Sequence, residues 1–291
     1  MSVPTMSVPT VREPDLNLPV PGDTDLAVYL DGPDHADTTL VLVHGWSTSA
    51  AAWNEQTSRL TTPDVRRVRY DQRGHGATPM GHHRIGMKLL AEDLARVIDA
   101  VAPYGRVVLA GHCLGGMVVT ALAATRPDLF EDRISGVVLT STCGRTAETP
   151  TGRRGHQLSR ARGRLLFWAH RLATGVRTAV MFGCSVGLHS VPVPLASRYW
   201  RAVTRHDQSR TLGVLARAKV TVMVGEKDRV TPVGAARDLV RHIPGARLMI
   251  APDGGHHLPR CWPTTVDEFL REPPRQRART PIEPVAARVR Y

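Results

Sequence analysis

Several kinds of residue are scarce in this chain, and each scarcity removes a class of function. Aromatic residues make up 5% of the 291 positions, and no nucleic-acid-binding module is recognisable, so no nucleic-acid partner is expected. The four cysteines, Cys113, Cys143, Cys184 and Cys261, lie far apart and form no C-x-x-C pair. Zinc-ribbon and thioredoxin-type motifs are therefore absent, and a disulfide framework does not suit a chain this long. There is no H-E-x-x-H, P-loop or dinucleotide-binding glycine pattern, so neither a metal nor an organic cofactor is expected. The opening residues, MSVPTMSVPTVREPDLNLPVPGD, repeat MSVPT but lack a basic stretch leading into an apolar one. They do not read as a secretory signal, and a cytoplasmic location is expected. The long apolar run Val107–Thr125 is interrupted by Gly111, His112, Gly115 and Gly116, which suits a buried strand followed by a buried helix better than a membrane span.

Acidic residues are also few relative to basic ones. Lys and Arg number 38 against 26 Asp and Glu, for a net charge of +12. Almost all of the positive charge is arginine, since Lys88, Lys219 and Lys227 are the sole lysines. Two readings of that excess stand: compositional drift, or attraction to an acidic partner or substrate.

What is present is an ordered series of apolar runs. LAVYLDG (26–32) alternates like a strand, and TTLVLVHGW (38–46) is a continuous apolar run, as a strand covered on both faces would be. SAAAWNEQTSRL reads as helix and VRRVRYDQRGHG as a strand ending in a glycine turn. Ile85, Leu89, Leu90, Leu94, Val97, Ile98 and Val101 recur at three- and four-residue steps, the pattern of an amphipathic helix. RVVLA (106–110), a glycine-rich turn and the helical run 117–130 follow, and then the strand-like ISGVVLTSTCG. Strand–helix alternation resumes at KVTVMVGEKD with PVGAARDLVRHI and at ARLMIAPDGG with PTTVDEFLRE. Such alternation predicts a mostly parallel, doubly wound α/β sheet.

Between residues 145 and 212 the composition turns to Arg, Gly and Ser around an apolar stripe that includes Leu158, Leu165, Leu166, Trp168 and Leu172. The expected division is an N-terminal extension (1–22), a core (23–144 and 213–272), an inserted helical cap (145–212) and a flexible basic tail (273–291).

The turn GHCLGG (111–116) carries the chemistry. Strand, tight glycine turn and helix form the setting of a nucleophile elbow, G-x-S-x-G, here with Cys113 at the reactive position. With HGW (44–46), DQRGHG (71–76), GEKDRVTP (225–232) and GGHHLPRCWP (254–263) in order, the chain resembles the α/β-hydrolase fold from Leu26 to Leu270. The resemblance implies a Cys113–Asp228–His256 triad in which the thiol attacks, the imidazole moves the proton and the carboxylate orients it. His256, with Pro263 seven residues on, fits the family's spacing better than His257. It further implies oxyanion donors at the backbone N–H groups of Trp46 and Leu114. The Trp46 ring is expected either to line the acyl pocket or to lie over the core, and Trp168 to contact substrate from the cap. His44, Arg73, His75 and His112 are expected to brace loops.

A thiolate at a helix N-terminus is favoured by the dipole and by a nearby imidazolium. The expected activity is hydrolysis of esters, lactones or thioesters through an acyl-cysteine. Dienelactone hydrolases and polyhydroxyalkanoate synthases are similar in having cysteine at the elbow, although the present chain is short for a synthase. An acyltransferase or cyclising enzyme using the same triad is the alternative, and a non-catalytic ligand-binding protein is the alternative of another class. Cap arginines (Arg153, Arg154, Arg160, Arg162, Arg164, Arg171, Arg177) either face water or meet an acyl-CoA or acidic acyl carrier protein. Contact of this basic stretch with a membrane surface stays open.

Overall fold

The computed structural model describes residues 12–146, 193–257 and 262–271. Its centre is an eight-stranded sheet of order β1-β2-β4-β3-β5-β6-β7-β8. The strands are β1 (Leu16–Val20), β2 (Thr24–Asp31), β3 (Thr38–Val43), β4 (Val65–Tyr70), β5 (Arg106–His112), β6 (Ile134–Thr140), β7 (Lys219–Gly225) and β8 (Arg247–Ala251). β1 and β2 pair antiparallel, β2 joins β4 antiparallel, and every pairing from β4 to β8 is parallel.

The continuous apolar strands are buried on both faces, as their composition predicts. In β3, Val41 and Val43 point into one core cluster and Leu40 and Leu42 into the other. In β5, Val107 and Leu109 divide from Val108 and Ala110 in the same way. Each fully buried Val or Leu contributes about 1.5–3 kcal/mol relative to exposure.

The larger cluster is closed by α2 (Met87–Val101) and α3 (Leu114–Thr125). The α2 side chains Leu90, Leu94, Val97, Ile98 and Val101 all face inward. On the opposite face α7 (Trp262–Arg271) lays Trp262, Val266 and Phe269 on the sheet. The Trp262 ring lies 5.0 Å from that of Trp53, just ahead of the short helix α1 (Asn54–Ser58). The apolar run 107–125 resolves into β5 and α3, and no helix among the described residues is long and apolar enough to cross a membrane.

Three boundaries differ from expectation. Residues 16–20, assigned to an N-terminal extension, form β1 and pair with β2 in full register. Pro19 lies in this strand and hid it, because proline is tolerated only where the ladder does not need its N–H, as on an edge. The helix expected over 117–130 breaks at Arg126 (φ −136°, ψ 63°), and α4 (Pro127–Asp132) restarts with proline at its first position, where no N–H is needed. The helix expected over SAAAWNEQTSRL begins as a 3-10 turn, Ala50–Trp53, before α1.

Within the span assigned to the cap, residues 147–192, with Trp168 and the arginines from Arg153 to Arg177, lie outside the described residues. So does the tail 273–291. The remainder of the span contains α5 (Val193–Thr204), whose Tyr199, Ala202 and Val203 pack into the larger cluster. α6 (Val233–Arg241) follows β7 and buries Ala235, Ala236 and Leu239. β4 and β5 flank β3 on opposite sides, so the chain reverses its direction of winding there. In open α/β sheets such a reversal places a crevice beyond the carboxyl ends of the strands.

Candidate active site

Four segments meet beyond those strand ends. His44–Thr48 follows β3, Cys113 follows β5, Asp228 follows β7 and His256 follows β8. Cys113 has φ 52° and ψ −113°, a region that an L-residue with a Cβ rarely occupies and that costs of order 1–3 kcal/mol. The surroundings impose it. Its N–H donates to Thr140 O at 3.0 Å, and its carbonyl accepts the Thr142 hydroxyl at 2.7 Å and the Met117 N–H at 3.2 Å.

The glycines of the turn are required by close approach. A Cβ on Gly115 would lie 2.0 Å from Val43 O, and one on Gly111 would lie 2.7 Å from the backbone of Gly115. A bulkier turn would hold α3 away from the sheet, and the thiol would leave its place above the strand ends. Leu114 is the first residue of α3, where backbone N–H groups have no intrahelical acceptor.

His256 and Asp228 are in direct contact, with Nδ1 2.9 Å from Oδ2. The Asp228 side chain has no exposed surface. Its Oδ1 accepts the N–H groups of Val230 and Thr231 at 2.8 and 2.9 Å, and its Oδ2 accepts the Thr231 hydroxyl at 2.9 Å. Burial disfavours its charge, but the His256 hydrogen bond and charge, with the two backbone donors, hold the carboxyl below its ordinary value.

Burial likewise opposes charging His256. Electrostatic and hydrogen-bond interaction with Cys113, the hydrogen bond to Asp228 and the Asp228 charge outweigh it and raise the imidazole to about 10. Cys113, His256 and Asp228 thus form one connected line. His257, the adjacent histidine, is exposed.

The bracing histidines are neutral. His44 donates from Nδ1 to Gly45 O at 2.8 Å and accepts the Gln72 N–H at Nε2, 2.9 Å away. Burial lowers His44 to about 4 and, with the nearby His44, His75 to about 3. His112 donates from Nε2 to the His256 carbonyl at 2.8 Å, and burial together with the His256 charge lowers it to about 3. It therefore fixes the backbone that carries His256.

Trp46 lies beside a residue with no signal in the sequence: its ring is 6.5 Å from that of Trp200 on α5. Thr231 is a second such residue. It caps the Asp228 carboxylate and lies 3.3 Å from His256 Nδ1, and nothing but its position in GEKDRVTP could have marked it.

The model of the alpha/beta hydrolase family matches residues 40–271. The chain belongs to that family. It is 23% identical over 246 residues to a bifunctional esterase/perhydrolase of Acinetobacter calcoaceticus, covering 78% of this chain and 88% of that protein. It is 24% identical over 254 residues to a pimeloyl-[acyl-carrier protein] methyl ester esterase of Nitrosomonas europaea, covering 78% and 89%. Among solved structures, a thermophilic esterase from Thermogutta terrifontis superimposes with a TM-score of 0.66 at 23% identity, covering 88% of this chain and 96% of that one. The enol-lactonase from Burkholderia xenovorans gives 0.64 at 24% identity, covering 86% and 97%. The two solved structures share the fold, and this α/β hydrolase carries cysteine in its elbow.

Proposed function

We propose that this α/β hydrolase is a cysteine-dependent esterase acting on esters, lactones or thioesters through an acyl-cysteine at Cys113. The observation that carries the reading is the line from the Cys113 sulfur through His256 to Asp228, at 2.9 Å for its second link. A thiolate beside an imidazolium is a ready nucleophile.

Cys113 sulfur attacks the substrate carbonyl, and the oxyanion that forms meets the N–H groups of Trp46 and Leu114. As the tetrahedral adduct collapses, the carbon–oxygen or carbon–sulfur bond to the leaving group breaks. His256 gives its proton to that group. Neutral His256 then takes a proton from water as the water oxygen attacks the thioester carbonyl. Collapse releases the carboxylic acid and restores the thiolate–imidazolium pair. Asp228 keeps Nδ1 protonated and the ring oriented throughout. Amides are poor substrates in this scheme, because the thiolate leaves more easily than an amine.

Acyl-carrier-linked esters belong among the candidates, given the activity of the Nitrosomonas relative. The test is to incubate the protein with aryl esters, lactones, acyl thioesters and an acyl-carrier-linked ester, and to follow intact mass and product. An acyl adduct that forms on the wild type, is absent in Cys113→Ala and decays in water supports hydrolysis. An adduct that decays only with an added amine, alcohol or thiol makes the enzyme an acyltransferase. No adduct and no turnover on any of them would sink the catalytic reading in favour of a binding protein.

A further inference from the structure

Two buried side chains take no part in the steps above although they lie beside them: His75 and Tyr199. His75 Nδ1 lies 3.1 Å from the Arg73 carbonyl oxygen. A carbonyl can only accept, so Nδ1 carries the proton and Nε2 is the acceptor. That acceptor takes the backbone N–H of Ser47 at 3.3 Å. Ser47 directly follows Trp46 and has φ +66°, a left-handed conformation that a serine holds only when its neighbours enforce it.

Tyr199, on α5, donates its hydroxyl to the same Arg73 carbonyl at 2.7 Å. Its ring meets the His75 ring edge-on, with centroids 4.9 Å apart and planes at 83°. The turn between them is rigid. Asp93 of α2 grips the Arg73 guanidinium at 2.6 and 2.7 Å, the His75 N–H bonds Gln72 O at 2.9 Å, and the Thr78 N–H bonds His75 O at 2.9 Å. Helix α5 and the loop after β3 therefore attach to one fixed point from two sides. The Trp46–Trp200 contact is a second link between the same two elements.

We propose that His75 and Tyr199 are positioning residues that couple the seat of helix α5 to the loop 44–48, so that the Trp46 N–H is aimed at the oxyanion position only when α5 is docked. Oxyanion donors act through placement, and a misplacement of about 1 Å can cost on the order of a hundredfold in rate. Burial keeps His75 neutral, as its acceptor role requires, because its pKa is lowered to about 3. The catalytic half of the proposal rests on the acyl-cysteine reading. The structural half does not.

Three full-length variants test it: Tyr199→Phe, which removes one oxygen atom, His75→Leu, and His75→Gln, whose amide can both donate and accept. Hydrogen exchange followed by mass spectrometry on peptides spanning residues 44–48 should quicken about tenfold or more in Tyr199→Phe and His75→Leu. Aryl-ester turnover should show kcat reduced about tenfold or more with KM changed less than about twofold, and His75→Gln should recover part of the loss. Alkylation of Cys113 by iodoacetamide forms no oxyanion, so its rate should not change. Unchanged exchange in residues 44–48 overturns the coupling, and so does a fall in alkylation equal to the fall in turnover, which would place the damage at the thiol itself. If the wild type hydrolyses no ester, the acyl-cysteine reading fails while exchange still decides the coupling. If His75→Leu does not fold, Tyr199→Phe alone decides it.

Discussion

Nδ1 of His256 lies 2.9 Å from Oδ2 of Asp228, with the imidazole 13% exposed and the carboxylate 0%. Burial by itself would strip the proton from His256, and its interactions with Cys113 and with the Asp228 carboxylate keep it there, raising the pKa to about 10. Asp228→Asn removes the carboxylate charge, so His256 should lose its proton at lower pH. The alkaline limb of kcat/KM, which tracks the imidazolium that protonates the leaving group, should move down by about one unit or more. An aryl-ester pH profile from neutral to strongly alkaline conditions measures it. A limb that stays in place would mean that Asp228 does not set the protonation of His256.

Stability should follow the same group. The folded pKa of His256 lies above its unfolded value of about 6.5, so its stabilising contribution is complete below about 6.5 and disappears as pH rises through about 10. Asp228 has the opposite sign: its carboxyl is held low, so its contribution is present above an unfolded value of about 3.9 and is lost as pH falls. Thermal unfolding of the wild type should therefore lose more on going from neutral to strongly alkaline pH than that of His256→Gln. Parallel losses in the two proteins would show that the imidazolium adds nothing to stability.

The two described cysteines should separate by reactivity. Cys113 is partly exposed at the elbow, whereas Cys143 is 1% exposed and burial pushes its thiol up to about 12. At neutral pH iodoacetamide should label Cys113 and leave Cys143 unlabelled until the chain is unfolded. Peptide mapping reads the result. Labelling of Cys143 in the native protein at a rate near that of Cys113 would contradict the burial that accounts for its inertness.

The elbow was legible in the sequence because close approach leaves little choice of residue: Gly111, Gly115 and Gly116 stand where a Cβ would strike backbone or Thr142. Asp228 and His256 were reached through the resemblance of GEKDRVTP and GGHHLPRCWP to the family's segments, and the structure brings these two side chains into contact while His257 is exposed. β1 was hidden by Pro19, a residue that a strand tolerates where the ladder does not need its N–H, as at the sheet edge that β1 occupies. Tyr199, Trp200 and Thr231 were hidden for another reason. Their roles depend on which loop or helix they touch across the fold, and neither residue type nor local spacing encodes that contact.

Arg73 and Asp93 form a two-bond ion pair with side chains 0% and 3% exposed. Removing one charge leaves the other buried and unanswered, so Arg73→Met or Asp93→Leu alone should destabilise by about 3–5 kcal/mol. The double variant should lose far less, since two apolar groups can replace a buried pair at little cost. Urea unfolding of the four proteins gives the coupling directly. Additive losses would show that the two charges do not depend on each other.

Glycine at the elbow offers the sharpest contrast between two small changes. In Gly115→Ala the new methyl would lie 2.0 Å from Val43 O and 2.6 Å from its carbonyl carbon. Both atoms belong to a central strand paired on each side, so neither can retreat without breaking the sheet. α3 would have to lift, carrying Leu114 and the Cys113 carbonyl with it. In Gly213→Ala nothing lies within 4 Å of the new methyl, and the backbone is not left-handed. That change should be neutral or stabilise by about 0.4–1 kcal/mol, through a less flexible unfolded chain. Gly115→Ala should instead lose several kcal/mol, of order the 1–3 kcal/mol of overpacking plus the displaced elbow, and with it Cys113-dependent turnover. Thermal unfolding and ester hydrolysis of the two variants together decide the matter. A Gly115→Ala protein as stable and active as Gly213→Ala would mean that α3 does not press against β3 as tightly as these distances require.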